Sequence, residues 1–109
     1  MAYDEDLANR LRELLAEEPV TEKKMFGGLA FLLGGNMSVS ASGAGGLLVR
    51  VDPNDTEVCI ARPYASRMVM RGRAMDGWIR VEPEGVKTKR ELAWWVKRGV
   101  GYAKSLPPK

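Results

Sequence analysis

Two lysines followed by paired glycines, in the stretch KKMFGGLAFLLGGNM from Lys23 to Met37, are the first candidates for chemistry. Lysines beside glycine-rich turns can hold phosphate. A P-loop, however, needs its glycines before the lysine and a helix after it. Here the lysines come first and a strand-like run, LAFLL, follows the glycines. We therefore predict that Gly27-Gly28 forms a bend or bulge of a sheet and does not cradle phosphate.

Nucleophilic and metal chemistry have little support in the composition. The chain contains no histidine, which removes most zinc sites, the Ser-His and Cys-His pairs and the commonest general base near neutral pH. Cys59 lies between Val58 and Ile60, so we expect a buried, inert thiol, and a single cysteine forms no internal disulfide. The sequence predicts no catalytic residue, no metal site and no cofactor. A small-ligand binder or an unrecognised enzyme is the third alternative for function.

Basic residues are the main indication of a binding surface. No helix-turn-helix pair, RNP-type motif or zinc-knuckle spacing accompanies them. Two interpretations stay open, a nucleic-acid interface or a solvated, partner-facing surface. The basic series is Lys23, Lys24, Arg62, Arg67, Arg71, Arg73 and Arg80, and the aromatic residues that could stack on bases are Phe26, Tyr64 and Trp78.

Charge is distributed unevenly along the chain. The overall charge is +3, yet residues 1–22 hold seven acids and two arginines, a net charge of −5, which leaves +8 for residues 23–109. An acidic N-terminal segment followed by a basic remainder of the chain indicates intramolecular pairing or self-association as readily as nucleic-acid binding.

Trp94 and Trp95 are adjacent in a helical segment, so their side chains point about 100° apart. Trp95 falls on the apolar stripe, and Trp94 is expected at its flank, as a peripheral core contact or as a contact with a partner or a second copy. The sequence thus predicts a homodimer or a regulatory protein partner. The candidate interaction surface is Lys23, Lys24, Arg62, Arg71, Arg73, Arg80 and Trp94.

Apolar spacing predicts the first half of the fold. Asp4 is a plausible N-cap for a helix over 4–17, whose leucines recur with helical period until Pro19. Strands are expected at 21–26, 29–33, 37–42 and 47–51, with turns at 34–36 and 43–46. The serines of the third strand, at 38, 40 and 42, alternate with apolar residues and are expected to face water.

Hairpin and capping signals predict the second half. A short helix is expected over 55–61, and then a hairpin over 67–71 and 77–81 with a turn near Gly72. Thr88 and Glu91 form a capping box at the start of the last helix, where Gly99 indicates a close approach to another element. The fold class is therefore α+β, an antiparallel sheet of about five or six strands with N-terminal and C-terminal helices packed against it and a short middle helix.

Several stretches resemble the TfoX N-terminal domain family. They are VTEKKMFGGLAFLLGGNM, LLVRV, ARP, RGRAMDGWIRV and LAWWVKRGVGYAKSLPP, and together they cover nearly the whole chain. The family is named for a regulator of bacterial natural competence. The resemblance implies a non-enzymatic α+β domain with a regulatory or protein-interaction role. In the competence regulator a helical C-terminal domain follows, so this chain is similar to the stand-alone members.

Length and hydropathy set the remaining expectations. The chain has 109 residues, the size of one domain spanning 1–109. None of its apolar runs approaches the roughly 20 residues of a membrane span, and its acidic N-terminus is unlike a signal peptide. A soluble, cytoplasmic protein with no membrane contact is expected.

Overall fold

A computed structural model describes residues 3–25 and 27–108. Within them lie three α-helices and a six-stranded antiparallel sheet, which confirms the predicted fold class. The helices are α1 (Glu5–Leu14), α2 (Thr56–Ile60) and α3 (Lys89–Ser105), and the strands are β1 (Val20–Met25), β2 (Gly28–Leu33), β3 (Asn36–Ala41), β4 (Leu47–Arg50), β5 (Ala65–Met70) and β6 (Arg73–Val81). Short 3-10 helices precede α2 and α3, at Pro53–Asp55 and Pro83–Val86. None of the helices in this described part is long and apolar enough to cross a membrane.

Strand order places β1 and β5 at the two edges of the sheet. The order is β1-β2-β3-β4-β6-β5, and every neighbouring pair is antiparallel. Short turns join β1 to β2, β2 to β3 and β3 to β4, whereas α2 lies between β4 and β5 in sequence. The last strand, β6, therefore inserts between β4 and β5.

Both predicted helix caps are confirmed. Asp4 Oδ1 accepts hydrogen bonds from the backbone N–H of Asp6 at 2.9 Å and of Leu7 at 3.2 Å. At α3, Glu91 N–H donates to Thr88 Oγ1 at 3.1 Å while Thr88 N–H donates to Glu91 Oε1 at 3.3 Å. These bonds satisfy N–H groups that a helix start leaves without intrahelical partners. The first helix ends at Leu14, earlier than the predicted residue 17.

The turns agree with the glycine signals. Leu33 pairs with Asn36, so the predicted turn joins β2 to β3. At the other glycine pair, Met25 of β1 pairs with Gly28 of β2, and a Cβ on Gly28 would overlap the carbonyl oxygen of Ala41. Gly27-Gly28 thus serves a tight connection that leads into a strand, as predicted. The expected end of β1 at Phe26 lies outside the described residues.

Helices α1 and α3 cover one face of the sheet and bury the main core. Trp95, Phe31 and Leu11 are among its largest fully buried side chains. A Cβ on Gly99 would lie 2.5 Å from the carbonyl oxygen of Ser38 on β3, because α3 crosses that strand almost in backbone contact. The close approach predicted from Gly99 is therefore confirmed.

The predicted exposure of the β3 serines is wrong. Ser38 and Ser40 are only 0% and 4% exposed, and Ser42 is half-buried. β3 lies in the interior of the sheet, and a bulge opposite Phe31 and Leu32 takes Ser38 out of the pairing register. Ser38 Oγ donates instead to the carbonyl oxygen of Phe31 at 2.8 Å. Sheet position, which alternation does not encode, decides the burial of this strand.

Candidate interaction surface

The hairpin of β5 and β6 builds one edge of the sheet. Arg71 and Gly72 join its strands with φ values of 53° and 75°, the pair of positive angles that a type I′ turn requires. The pairing register shifts between Arg67 and Met68, so residues 76–78 of β6 form a bulge without partners in β5, while Trp78 stays paired with Arg50 of β4. Compared with the prediction, β5 begins two residues earlier and β6 four residues earlier.

Exposed apolar side chains concentrate at this edge. Among the described residues the large hydrophobic side chains that stand exposed are Val58 at 56%, Tyr64 at 57% and Val69 at 64%. Val58 belongs to α2, which packs on β5 and β6, Tyr64 immediately precedes β5, and Val69 lies within it. Exposed large apolar side chains on an edge strand and beside it are candidates for an interaction site.

The opposite edge, β1, is charged. Glu22, Lys23 and Lys24 of the strand VTEKKM are all exposed. Charged side chains on an edge strand, lysine above all, oppose pairing with another strand. Glu22 is also engaged, because its carboxylate accepts two hydrogen bonds from Arg12 of α1, at 2.7 and 2.8 Å. This contact holds the pKa of Glu22 below its ordinary value.

The predicted basic residues lie on both edges of the sheet and in its interior. Lys23 and Lys24 lie on edge β1, whereas Arg71 and Arg73 lie at the tip of the hairpin that forms the other edge. These four side chains are exposed, and their role as interaction residues stays a prediction.

Arg67 is neutralised within the fold. Its Nη2 lies 2.8 Å from Glu57 Oε1 of α2, and its Nε lies 2.8 Å from Asp76 Oδ1 of the β6 bulge. Hydrogen bonds to these two carboxylates raise the pKa of Arg67, with Asp76 the larger cause. The cation therefore ties α2 to the hairpin and leaves the β5 edge without an uncompensated charge of its own.

Arg80 fastens the turn between β3 and β4. Its Nη1 donates to the carbonyl oxygen of Gly45 at 2.7 Å and to Ser42 Oγ at 3.3 Å. Its Nε lies 3.4 Å from Glu82 Oε1. The Arg80 side chain is thus directed at the turn between β3 and β4, and its place on a surface that binds an external partner stays a prediction.

Trp94 and Arg62 are brought together. The guanidinium carbon of Arg62 lies 3.8 Å from the centroid of the Trp94 ring, and that of Arg98 lies 4.5 Å away. Trp94 also packs edge-on against Trp95, with ring centroids 4.8 Å apart and planes at 82°. The ring is half-buried against the main core. This arrangement agrees with a peripheral core contact.

The acidic N-terminal segment is paired with α3. Lys104 Nζ lies 2.8 Å from Glu18 Oε1, and Lys89 Nζ lies 3.5 Å from Glu13 Oε1. The acidic N-terminal segment and the basic remainder therefore meet within one chain, and intramolecular pairing was one of the three outcomes that the charge distribution left open.

The remaining candidates for chemistry are the single cysteine and possible metal ligands. Cys59 is buried, as predicted, and burial raises the pKa of its thiol. Metal ligation has no candidate in the described part of the chain, where no three histidine, cysteine or carboxylate side chains are grouped to hold an ion.

The open edge was missed by reasoning from sequence. The hairpin was predicted, but whether β5 or β6 would be its outer strand depends on β6 pairing with β4, a contact between strands far apart in sequence. One feature of the sequence could have indicated the open edge. The β5 segment ASRMVM carries a single charged residue, whereas the β1 segment VTEKKM carries three. The exposed residues Val58, Tyr64 and Val69 indicate a candidate interaction edge only once β5 is known to be the outer strand of the sheet.

Together, the fold and this surface define a small α+β domain with helices on one face of an antiparallel sheet, one charged edge and one apolar edge. The model of the family described as TfoX N-terminal domain matches residues 11–103. The chain belongs to that family, which confirms the resemblance seen in its sequence. A search of the curated proteins gave no match.

Proposed function

We propose that this protein is a non-enzymatic regulatory domain that acts through protein–protein contact and associates with a second copy of itself along β5. The apolar edge formed by β5 and its neighbours carries the proposal. An edge strand offers unpaired N–H and C=O groups to another strand, and natural proteins usually block such pairing with charge. β1 has that protection and β5 lacks it.

Self-pairing suits β5 for geometric reasons. A two-fold axis makes the same surface serve both copies, so two β5 strands would run antiparallel and continue the sheet across the dimer. Val69 and Tyr64 would lose water from their exposed apolar surface. Because Arg67 is already paired with Glu57 and Asp76, no unpaired guanidinium of β5 would be buried.

Charge at the two ends of the hairpin supports an antiparallel arrangement. Arg71 and Arg73 are exposed at its tip, and Glu82 and Glu84 are exposed just beyond its open end. Antiparallel pairing of β5 with β5 brings the basic tip of one copy toward the acidic end of the other. Opposite charges within about a Debye length, 8 Å at physiological salt, favour that orientation.

Light scattering across a range of protein concentrations tests the association. We expect a dimer whose mass falls to that of a monomer in Val69→Lys, because lysine on an edge strand opposes strand pairing. Thr21→Lys is the matched control, because it also replaces an exposed β-branched residue with lysine but on the other edge strand, β1. This variant is expected to stay dimeric. A wild-type chain that remains a monomer at high concentration, or loss of the dimer in Thr21→Lys alone, contradicts the proposal.

A charge reversal tests the orientation. Arg73→Glu is expected to weaken the dimer, and adding Glu84→Arg to the same chain is expected to restore it, because the swap rebuilds the pair across the two-fold axis. A double variant weaker than either single variant argues for a different arrangement.

For the regulatory role, transcript levels in a strain carrying Val69→Lys are compared with those in a Thr21→Lys strain, and only the former are expected to change.

Nucleic-acid binding is the alternative function. Its test is filter binding of short duplexes at low salt with the same samples. Binding that weakens steeply with salt and is lost in a Lys23→Gln, Lys24→Gln variant would favour this alternative, because phosphate contacts release counterions.

A further inference from the structure

A cavity of about 380 Å³ opens on the sheet face opposite α1 and α3. Small-molecule sites usually measure about 300–1,000 Å³ and combine apolar walls with a few polar groups. This cavity has both kinds of wall. Its apolar side chains include Met25, Leu48, Met68 and Val69, and its polar ones include Ser40, Ser66 and Arg80.

Ser40 is a buried polar group with spare hydrogen-bonding capacity. The residue is 4% exposed and lines the cavity. Within the described residues its hydroxyl makes one hydrogen bond, to the carbonyl oxygen of Ala41 at 3.4 Å. Ordinary O–H···O bonds measure about 2.5–3.0 Å, so this one is weak. A buried hydroxyl left in this condition costs free energy that a ligand acceptor in the cavity would recover.

Arg80 also has donors to offer. A guanidinium carries five N–H donors, and the bond from Nη1 to Gly45 O at 2.7 Å is the short one here. Nη2 reaches Ala44 O at 3.4 Å and Glu82 Oε2 at 3.5 Å. Its contact with Glu82 is half-exposed and correspondingly weak. A carboxylate in the cavity would accept from these donors with better geometry.

The register across the sheet adds a second cation to this face. Lys23 pairs with Ala30, Ala30 with Ser40, Ser40 with Leu48, and Leu48 with Arg80. Residues directly paired in antiparallel strands project from the same face of the sheet. Lys23 therefore projects from the cavity side of β1, and the face that holds the cavity favours an anion.

We propose that this cavity binds a small amphipathic carboxylate. Its carboxylate group accepts from the Arg80 guanidinium and the Ser40 hydroxyl, and its apolar chain packs against Met25, Leu48 and Met68. Ser66, Arg67, Met68 and Val69 of β5 also line the cavity. The groups that would hold the carboxylate, Ser40 on β3 and Arg80 on β6, lie outside that strand, so the proposal does not rest on the proposed self-association.

Methyl NMR of the full chain labelled at its methionines tests this binding, with octanoate as the probe and octanol as its uncharged match. The Met25 and Met68 methyl signals are expected to shift with octanoate, and those of Met70 and Met75, which lie outside the cavity lining, to stay in place. Octanol is expected to bind about 10- to 100-fold more weakly, since a hydrogen bond to a charged group is worth about that factor.

Variants separate the site from adventitious binding. Arg80→Gln is expected to make octanoate bind no better than octanol, while Lys97→Gln on the exposed face of α3 leaves the octanoate titration unchanged. Because Arg80→Gln also loosens the turn, Ser66→Phe serves as a second variant: Ser66 is exposed at the rim, so phenylalanine blocks the cavity without entering the core. Equal affinity for octanoate and octanol in the wild type, shifts that survive Ser66→Phe, or no shift at Met25 and Met68 overturns the proposal.

Discussion

The sheet buries its two faces by different means. On one face α1 and α3 cover a core of large side chains, with Trp95, Phe31 and Leu11 essentially inaccessible. On the other face the buried cluster is Ala30, Met37 and Leu48, and every residue packed against it in the described structure comes from a strand. Neighbouring residues of one strand therefore enter different environments, since Leu47 joins the first cluster and Leu48 the second.

This contrast separates stability from binding. A helix-covered face fills its volume with interdigitating side chains, which accounts for most of the favourable free energy of a small domain. A face built from alanine, serine and methionine leaves space and retains polar groups beside it.

The largest effect is expected at Trp95. Trp95→Ala should lower the free energy of unfolding by about 3–5 kcal/mol, because it leaves a large cavity in the helix-covered core. Its neighbour Trp94 is half-buried, and Trp94→Ala should cost about 1–2 kcal/mol through lost contacts with Arg62 and Arg98. Urea denaturation followed by circular dichroism measures both. Equal costs would show that Trp94 belongs to the core as fully as Trp95.

A smaller difference is expected between Leu47 and Leu48. Leu47→Ala, on the helix-covered face, should cost about 3–4 kcal/mol, and Leu48→Ala about 2 kcal/mol. Leu48 already borders the cavity, so its removal forfeits fewer contacts. The same denaturation experiment compares the two variants. A larger loss for Leu48 would contradict the division between the faces.

The two glycines of α3 should respond in opposite directions. Gly99→Ala is expected to destabilise by about 1–3 kcal/mol, because its Cβ would meet the backbone of Ser38. Gly101→Ala is the matched control: a Cβ there meets nothing within 4 Å, so the helix gains about 0.5–1 kcal/mol. Thermal unfolding of both variants measures the signs. Stabilisation by both would mean that α3 can move away from β3.

The smallest effect concerns the ion pair that links α1 to edge β1. Arg12 lowers the pKa of Glu22, so the pair stabilises the fold above the unfolded-state pKa, about 4.3. This contribution is lost as the pH falls through the still lower folded-state pKa. Wild type should melt slightly above Glu22→Gln at neutral pH, and the difference should vanish at acidic pH. A difference that persists in acid would assign the effect to packing and not to charge.

Local chemistry made the elements predictable from the sequence. Asp4 and Thr88 cap their helices with side chains that act on residues two or three positions away. Paired glycines mark a connection between strands in the same local way. Gly99 was informative too, because a glycine in a helix indicates a close neighbour even when the neighbour is unknown.

Nonlocal contacts made the rest unpredictable. The burial of Ser38 and Ser40 follows from the central position of β3, and the exposure of Val69 follows from the edge position of β5. Arg67 was grouped with the free basic residues because its partners, Glu57 and Asp76, reach it from two other elements. The sequence immediately around each of these residues does not show which distant residues pack against it.

The contact between Gly99 and Ser38 has a consequence for how the chain folds. The hairpins of β1, β2 and β3 pair residues close in sequence, so they can form early, whereas the packing of α3 on β3 joins the last helix to the first half of the chain. During synthesis, the part of the sheet face that α3 covers stays exposed until α3 has emerged. Apolar surface exposed in this way makes a nascent chain prone to aggregate until α3 docks.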